Sequence, residues 1–400
     1  MYRRMSTYEK WTKEALIARV LELENKTKPH VPKSSAKELP TKRAKQMDFS
    51  KYTTRPVAIR FAYLGWNYHG LAVQKDPKTP TVEQKILNAL YKTRCIPSEN
   101  PLDCNFSRCG RTDRDVSAMA QVISLNLRSN LSLEEQRDPA NDSRELDYLK
   151  ILNSHLPADI LAYEICLRPP EGFDARFSCK YRHYRYFFNA RDLDVEKMNE
   201  AAQLLIGEHD FRNLCKVDAS KQITNFKRTI LQAEIVHSTG DLHFLSLRGT
   251  AFLWNQVRSV MAILFIIGQG LEPVDVLSRL LDVDATPRRP AYEIAWGVPL
   301  VLYDCGFEEM EWKKSAYTTL EHVHNVYHEH WQKMVMAETM LQVVSPFSQP
   351  LPTGRLNVGE GINPRSKYVS LFQRQFLESP EVVNERWLRK QDEKQTDEKR

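Results

Sequence analysis

The chain has 400 residues, 42% of them hydrophobic, enough to build a sizeable core in two or three units. Its formal charge of +6 is uneven: residues 1–50 hold 12 Lys/Arg against 6 Asp/Glu, and the remaining 350 residues balance at 45 each. Seven cysteines form no Cys-x-x-Cys pair and the most apolar run has eight residues, which argues against a disulfide framework, a zinc cage and a membrane span.

Residues 1–24 read as an N-terminal helix, with Leu16, Val20 and Leu23 forming a short apolar seam. No apolar signal core precedes it, and Glu9 and Glu14 do not suit a transit peptide, so nucleus and cytoplasm are the expected locations. Residues 25–50 are a basic linker: between 25 and 47 there are seven Lys/Arg, three Pro and one Glu. A solvated tail is the ordinary reading of such an arm, and an electrostatic foot for nucleic acid is the functional one.

The folded body is expected in two halves, 51–170 and 171–307. In the first, Val57, Ile59, Phe61 and Tyr63 alternate as a strand, and a glycine-punctuated loop runs from Gly65 to Gly70. Thr81-Val82-Glu83-Gln84 predicts a capping box opening a helix. A strand at 121–127, a helix near 144–154 and a strand near 159–167 follow. The second half predicts a strand at 183–189 and a helix from Asp194 to a C′ glycine at Gly207. His209 and Asp210 then cap its end. Strands at 227–237 and 241–248 are joined at Ser238-Thr239-Gly240, and a helix at 252–267 and a strand at 298–304 complete the pattern. Strands and helices mix without regular βα alternation, which favours α+β. Residues 308–345 read as a helical extension, and 346–400 as an irregular, partly disordered tail. Within that tail, 346–364 hold four prolines and three glycines, and 385–400 hold six basic and five acidic residues.

Three clusters carry chemistry. In Cys109-Gly110-Arg111-Thr112-Asp113-Arg114-Asp115 a carboxylate ends a polar turn between arginines, which keeps it ionised and nucleophilic. Taken alone, Gly-Arg-Thr-Asp is only a turn. Residues 168–191 hold six Lys/Arg and two acids among seven Phe/Tyr, with Arg176 and Arg182 in the densest part. Cations that neutralise phosphates, mixed with rings that stack on bases, suit single-stranded RNA; for Phe187 and Phe188 core packing is the preferred reading. Arg258 enters an otherwise apolar helix among Val257, Val260, Met261 and Leu264, where it needs either a partner or a route to the surface.

In this order, the three clusters resemble the motifs of the TruA family of tRNA pseudouridine synthases, over roughly Ala58 to Phe307. The resemblance implies an α+β fold of two ferredoxin-like halves forming a mainly antiparallel sheet, with a central catalytic cleft between them. It places the catalytic aspartate on Asp113, the tyrosine that stacks on the target uracil on Tyr184, and the aspartate's arginine partner on Arg258. Arg111 would fill the space vacated by the flipped base, and Leu300 would wall the uracil pocket. Segments including Gln121-Val122-Ile123-Ser124-Leu125 and Asp210-Phe211-Arg212-Asn213-Leu214-Cys215-Lys216 look like the eukaryotic branch acting at nucleotides 38 and 39 of the tRNA anticodon stem-loop. A homodimer and a tRNA partner are implied, with no metal and no cofactor, because the isomerisation needs neither redox nor energy input.

One departure stands out: Asp115 occupies a position where the family usually has glycine, which suggests a positive φ. Its charge would raise the Asp113 pKa or weaken RNA binding. The alternatives are the same chemistry at another tRNA position, or a non-catalytic tRNA-binding protein or chaperone that keeps the fold. The histidines at 322, 324, 328 and 330 read as a surface helix, since Asn325 replaces the Glu of His-Glu-x-x-His.

Overall fold

The computed structural model describes residues 12, 47–74, 76, 78–315, 328, 332–337, 340 and 368–398. The expected helix at 1–24 and linker at 25–50 lie almost wholly outside the described residues, as do the histidine cluster apart from His328 and most of the extension beyond 315. The chain divides into two units, Met1–Met47 and Asp48–Arg400. The architecture that follows belongs to the second.

The first half contains β1 (Thr53–Tyr63), α1 (Val82–Lys92), β2 (Ser107–Arg108), β3 (Ser117–Ser129), α2 (Tyr148–Asn153) and β4 (Ile160–Cys166). The second contains β5 (Tyr181–Asn189), α3 (Val195–Gln203), β6 (Gly207–Asp210), β7 (Lys227–Thr239), β8 (Leu242–Gly249), α4 (Gln256–Gly268), α5 (Val276–Leu281) and β9 (Leu300–Gly306). A last helix, α6, spans Pro380–Glu398.

All nine strands join one sheet in the order β4-β1-β3-β9-β5-β8-β7-β6, with β2 paired to β3 off that path. Each half follows the same order of strands: β4-β1-β3-β2 in the first and β9-β5-β8-β7 in the second. Every pairing is antiparallel except the seam between the halves, where β3 and β9 run parallel through Ser117–Val301 and Ala118–Leu302. Leu302 also opposes Tyr184 across the β5–β9 ladder. Asp113 therefore enters the sheet at the seam, with Tyr184 two strands away.

The core explains the alternation along β5. Tyr184, Tyr186 and Phe188 are buried on one face. Tyr186 and Phe188 meet Phe265 of α4 edge-on at 5.9 and 5.6 Å. Every residue of α4 is buried except Arg258. A helix this apolar lies inside the protein, and its single charged residue marks where the core opens.

Several local readings need correction. Thr81 caps α1 by accepting from Gln84 N, but the Gln84 amide turns to Glu99 at 2.8 Å, so only half of the capping box forms. Asp194 caps α3 as expected, but the helix ends at Gln203, and Gly207, with φ +112°, opens β6 instead. His209 and Asp210 are consequently strand residues opposite Arg228 and Lys227 rather than helix caps. The Asp210 carboxylate holds Arg212 at 2.8 Å. The tail read as irregular and partly disordered also contributes to the fold. Tyr368 Oη and Leu371 N donate to Glu272 at 2.8 and 2.7 Å, and the buried Asn384 of α6 donates to Ile223 O at 3.2 Å. The charged residues of α6 are good helix formers, so low apolar content did not prevent a helix. Among the described residues, no helix is long and apolar enough to cross a membrane.

Candidate active site

The loop from Cys109 to Val116 is fixed at almost every residue. Gln121, fully buried on β3, donates to Gly110 O at 2.9 Å and accepts from Gly110 N at 3.4 Å. Tyr63 and Thr112 share a hydroxyl hydrogen bond of 2.7 Å, and Thr112 O accepts from Leu71 N at 3.2 Å. Asp115 N donates to Tyr68 O, and Val116 N to Asp113 O, both at 3.2 Å. Three glycines let other segments press against this loop. A Cβ at Gly65 would lie 2.1 Å from Val116 O, one at Gly70 2.7 Å from Thr112 O, and one at Gly297 2.8 Å from Arg114 O. Asp115 has φ +67°, the left-handed conformation that its position suggested.

Asp113 sits partly buried at the tip. Burial raises its carboxyl pKa above the ordinary value, opposed by the Arg258 charge, the Trp254 indole N–H and the Lys216 ammonium, in that order. Arg258 also loses some basicity through burial, with Asp113 the first of the groups opposing that loss. The expected pairing is therefore electrostatic, and not a contact ion pair within 4.0 Å. The guanidinium is anchored elsewhere: Nε donates to Ala295 O at 2.7 Å and a terminal nitrogen to Asn255 Oδ1 at 3.2 Å. Asn255, in the left-handed region at φ +59°, begins α4, so Trp254 and Arg258 flank the helix N-terminus and both act on Asp113.

Tyr184 is 8% exposed and packs edge-on against Phe252 at 5.1 Å. Burial pushes its phenol far above the ordinary value, with Cys305 and Asp113 adding to the rise, so the hydroxyl stays protonated. Leu300 is buried and opposes Tyr186 across the β5–β9 ladder. Arg111 is exposed, and Arg176 is exposed with its guanidinium 5.1 Å from the ring of Phe177, itself 78% exposed. Arg182 departs from the expected phosphate contact. Its guanidinium donates to four backbone carbonyls, those of Cys179, Thr250, Cys109 and Arg176, at 3.3, 2.8, 2.8 and 2.7 Å. It is a clamp between segments.

A family model described as tRNA pseudouridine synthase matches residues 201–308. Over 429 aligned residues the chain is 47% identical to the tRNA pseudouridine(38/39) synthase of Saccharomyces cerevisiae, covering 97% of this chain and 93% of that protein. The chain belongs to the tRNA pseudouridine synthase family. It is also 40% identical to the tRNA pseudouridine(38/39) synthase of Homo sapiens, over 85% of this chain and 76% of that protein. With the tRNA pseudouridine synthase A of Methanothrix thermoacetophila it shares 34% identity, over 66% and 87%.

In this synthase, an isomerase that converts uridine to pseudouridine in tRNA, reading the motifs missed four residues around Asp113. Gln121 was visible as a polar residue within an apolar strand, and Tyr63 only as one more alternating position. Trp254, 48% exposed just before a buried helix, was a usable signal, since a large exposed ring at a helix start wants a reason. Lys216 was hidden, because only the return of the chain brings its charge to Asp113; its backbone N donates to Trp254 O at 2.9 Å. The fold also gathers Cys109, Cys179 and Cys305, buried and free, with all three Sγ atoms within 4.8 Å of one another. Count and spacing argued against any zinc cage, and could not show this cluster because the three cysteines come from distant segments.

Proposed function

We propose that this chain isomerises uridine to pseudouridine at positions 38 and 39 of the tRNA anticodon stem-loop, with Asp113 as the catalytic carboxylate. The single observation that carries the reading is the convergence on Asp113 of one buried tyrosine and two cations, in a chain so similar to the yeast enzyme named for those positions. The repeated strand order supports two ferredoxin-like halves with the catalytic cleft at their seam. On this reading residues 51–170 and 171–307 are the catalytic halves, and 1–24, 25–50, 308–345 and 346–400 are appendages to them. The family resemblance further supports a homodimer located in nucleus and cytoplasm.

The chemistry follows from the groups present. The target uridine must leave its stack, at about a few kcal/mol, and the exposed Arg111 fills the space it vacates. Tyr184 lies against the uracil, and Leu300 closes the pocket behind it. Asp113 in its ionised form then acts on the nucleoside, either as nucleophile or by assisting elimination at the sugar. The N1–C1′ bond breaks, the uracil turns, and C5 bonds to C1′. C5 loses a proton and N1 gains one, so substrate and product are isomers and no redox partner is needed. Arg258 and Lys216 favour the ionised carboxylate against the burial that opposes it. Arg176 and Phe177 offer a cation and a ring to the RNA strand.

The test is to incubate the protein with an unmodified tRNA bearing uridines at 38 and 39, and at other positions that sister enzymes modify, and to map pseudouridine. Modification confined to 38 and 39 is expected. Modification elsewhere assigns the same chemistry to another site, and tRNA binding with no modification at all favours a non-catalytic protein.

A further inference from the structure

We propose that Cys109, Cys179 and Cys305 form a binding site for a thiophilic divalent cation, of which Zn²⁺ is the type. The three residues come from three segments that must stay in register for the active site to exist. Cys109 opens the loop that ends at Asp113, Cys179 lies just before β5 with its Tyr184, and Cys305 is on β9, which begins at Leu300. All three side chains are buried, and their Sγ atoms already lie within 4.8 Å of one another. Three metal–sulfur bonds of about 2.3 Å at tetrahedral angles need sulfurs about 3.8 Å apart, so a contraction of at most about an ångström forms the site. Sulfur donors of this kind select zinc-like ions over hard cations.

Arg182 supplies the second observation. Its terminal nitrogens donate to Cys109 O at 2.8 Å and Cys179 O at 3.3 Å, and its own backbone opposes Cys305 in the β5–β9 ladder. One cation is thereby fixed against all three cysteine positions. Three thiolates and one divalent ion carry a net charge of −1, which the guanidinium balances. Arg182 is half-buried, and the loaded cluster and its guanidinium together are neutral. Loading releases to solvent every proton that the three sulfurs still carry. The Cys179 thiol then gives up its contact with Tyr181 O, now 3.0 Å. Among the described residues no fourth His, Cys, Asp or Glu atom joins the cluster, so a water would complete the four-coordinate shell of the ion.

The experiment reads metal and needs no tRNA, so its outcome is independent of the proposed activity. Full-length protein, expressed with added zinc and purified under reducing, chelator-free conditions, should carry about one zinc per chain. After stripping, Co²⁺ should produce a thiolate-to-cobalt charge-transfer band, and Zn²⁺ should restore the Tm lost on stripping. Cys305→Ser should lose both the metal and the band, while Cys166→Ser, outside the cluster, keeps them. Should Cys305→Ser fail to fold, alkylation mapping of wild type replaces it: zinc should protect Cys109, Cys179 and Cys305 but leave the reactivity of Cys166 unchanged. Folded wild type that takes up no stoichiometric Zn²⁺ and shows no cobalt–thiolate band overturns the proposal. So does a band that survives in Cys305→Ser, or alkylation that zinc does not alter.

Discussion

Gly70→Ala tests whether the packing of glycines against the Asp113 loop matters to catalysis. Two separate terms apply at this position. Gly70 has φ +100°, where an L side chain is strained by about 1–2 kcal/mol. Its Cβ would also lie 2.7 Å from Thr112 O and 3.3 Å from the carbonyl carbon of Asp113, where ordinary contact begins at 3.4 Å. The Thr112 carbonyl must therefore move by roughly 0.7 Å, and overpacking of this kind costs about 1–3 kcal/mol. The sum is about 2–5 kcal/mol. Gly172 provides the matched control: its φ is +71° but its Cβ would meet nothing within 4 Å, so Gly172→Ala loses only the backbone term of about 1–2 kcal/mol. Denaturant unfolding of both variants measures the difference. Single-turnover pseudouridine formation measures its consequence, because a misplacement of about an ångström costs on the order of 100-fold in rate. Gly70→Ala should lose about 10- to 100-fold in the chemical step, and Gly172→Ala should not. Equal destabilisation of the two variants, or a Gly70→Ala enzyme with normal turnover, would refute the reasoning.

Other perturbations act on the charge around Asp113. Burial has already raised the Asp113 pKa, so activity should fall as pH drops through a value above the ordinary carboxylate range. Arg258→Ala removes the largest opposing charge and should move that acid limb to higher pH in a pH–rate profile; an unmoved limb would count against electrostatic pairing. The folded protein favours protonated Asp113, so the residue's contribution to stability is present at low pH and is lost as pH rises through the raised pKa. Asp113→Asn should therefore unfold at a higher denaturant midpoint than wild type at neutral pH, and a lower midpoint would contradict the assignment. Asp115→Gly should keep activity, because it suits φ +67° and sacrifices a weak contact with Arg114 Nε at 3.6 Å and a charge near Arg258 that is minor beside that of Asp113. Asp115→Val should lose stability by about 1–2 kcal/mol, measured the same way; a valine variant as stable as the glycine one would mean that the backbone conformation is unimportant there.

Local patterns in the chain were legible where one physical rule dominated. The alternation of Val57, Ile59, Phe61 and Tyr63 and the Ser238-Thr239-Gly240 turn correspond to β1 and to the β7–β8 connection, and Asp194 caps α3. Boundaries slipped where tertiary contacts decided. Gly207 could end a helix or open a strand, and pairing with Ile230 of β7 made it the latter. The helix read from 252 begins only at Gln256, because Asn255 is left-handed. Motif resemblance singled out Asp113, Tyr184 and Arg258, whose catalytic roles remain the proposal, and the positive φ of Asp115 was legible through the residue it replaces. Lys216 and the three clustered cysteines could not be read from spacing, since their neighbours are more than 35 residues away in the chain. Arg182 looked like an RNA contact because a basic residue among aromatics carries the same sequence pattern whether it faces phosphate or four carbonyls.

The central claim is that Asp113 performs the chemistry while other residues hold the tRNA. It is tested most directly by measuring pseudouridine formation and tRNA affinity side by side for wild type and Asp113→Asn, with circular dichroism to verify the fold. Turnover should disappear while affinity stays within severalfold, as expected where affinity comes from dispersed phosphate contacts. Pseudouridine still formed by folded Asp113→Asn, or an equal loss of binding and turnover, would contradict it.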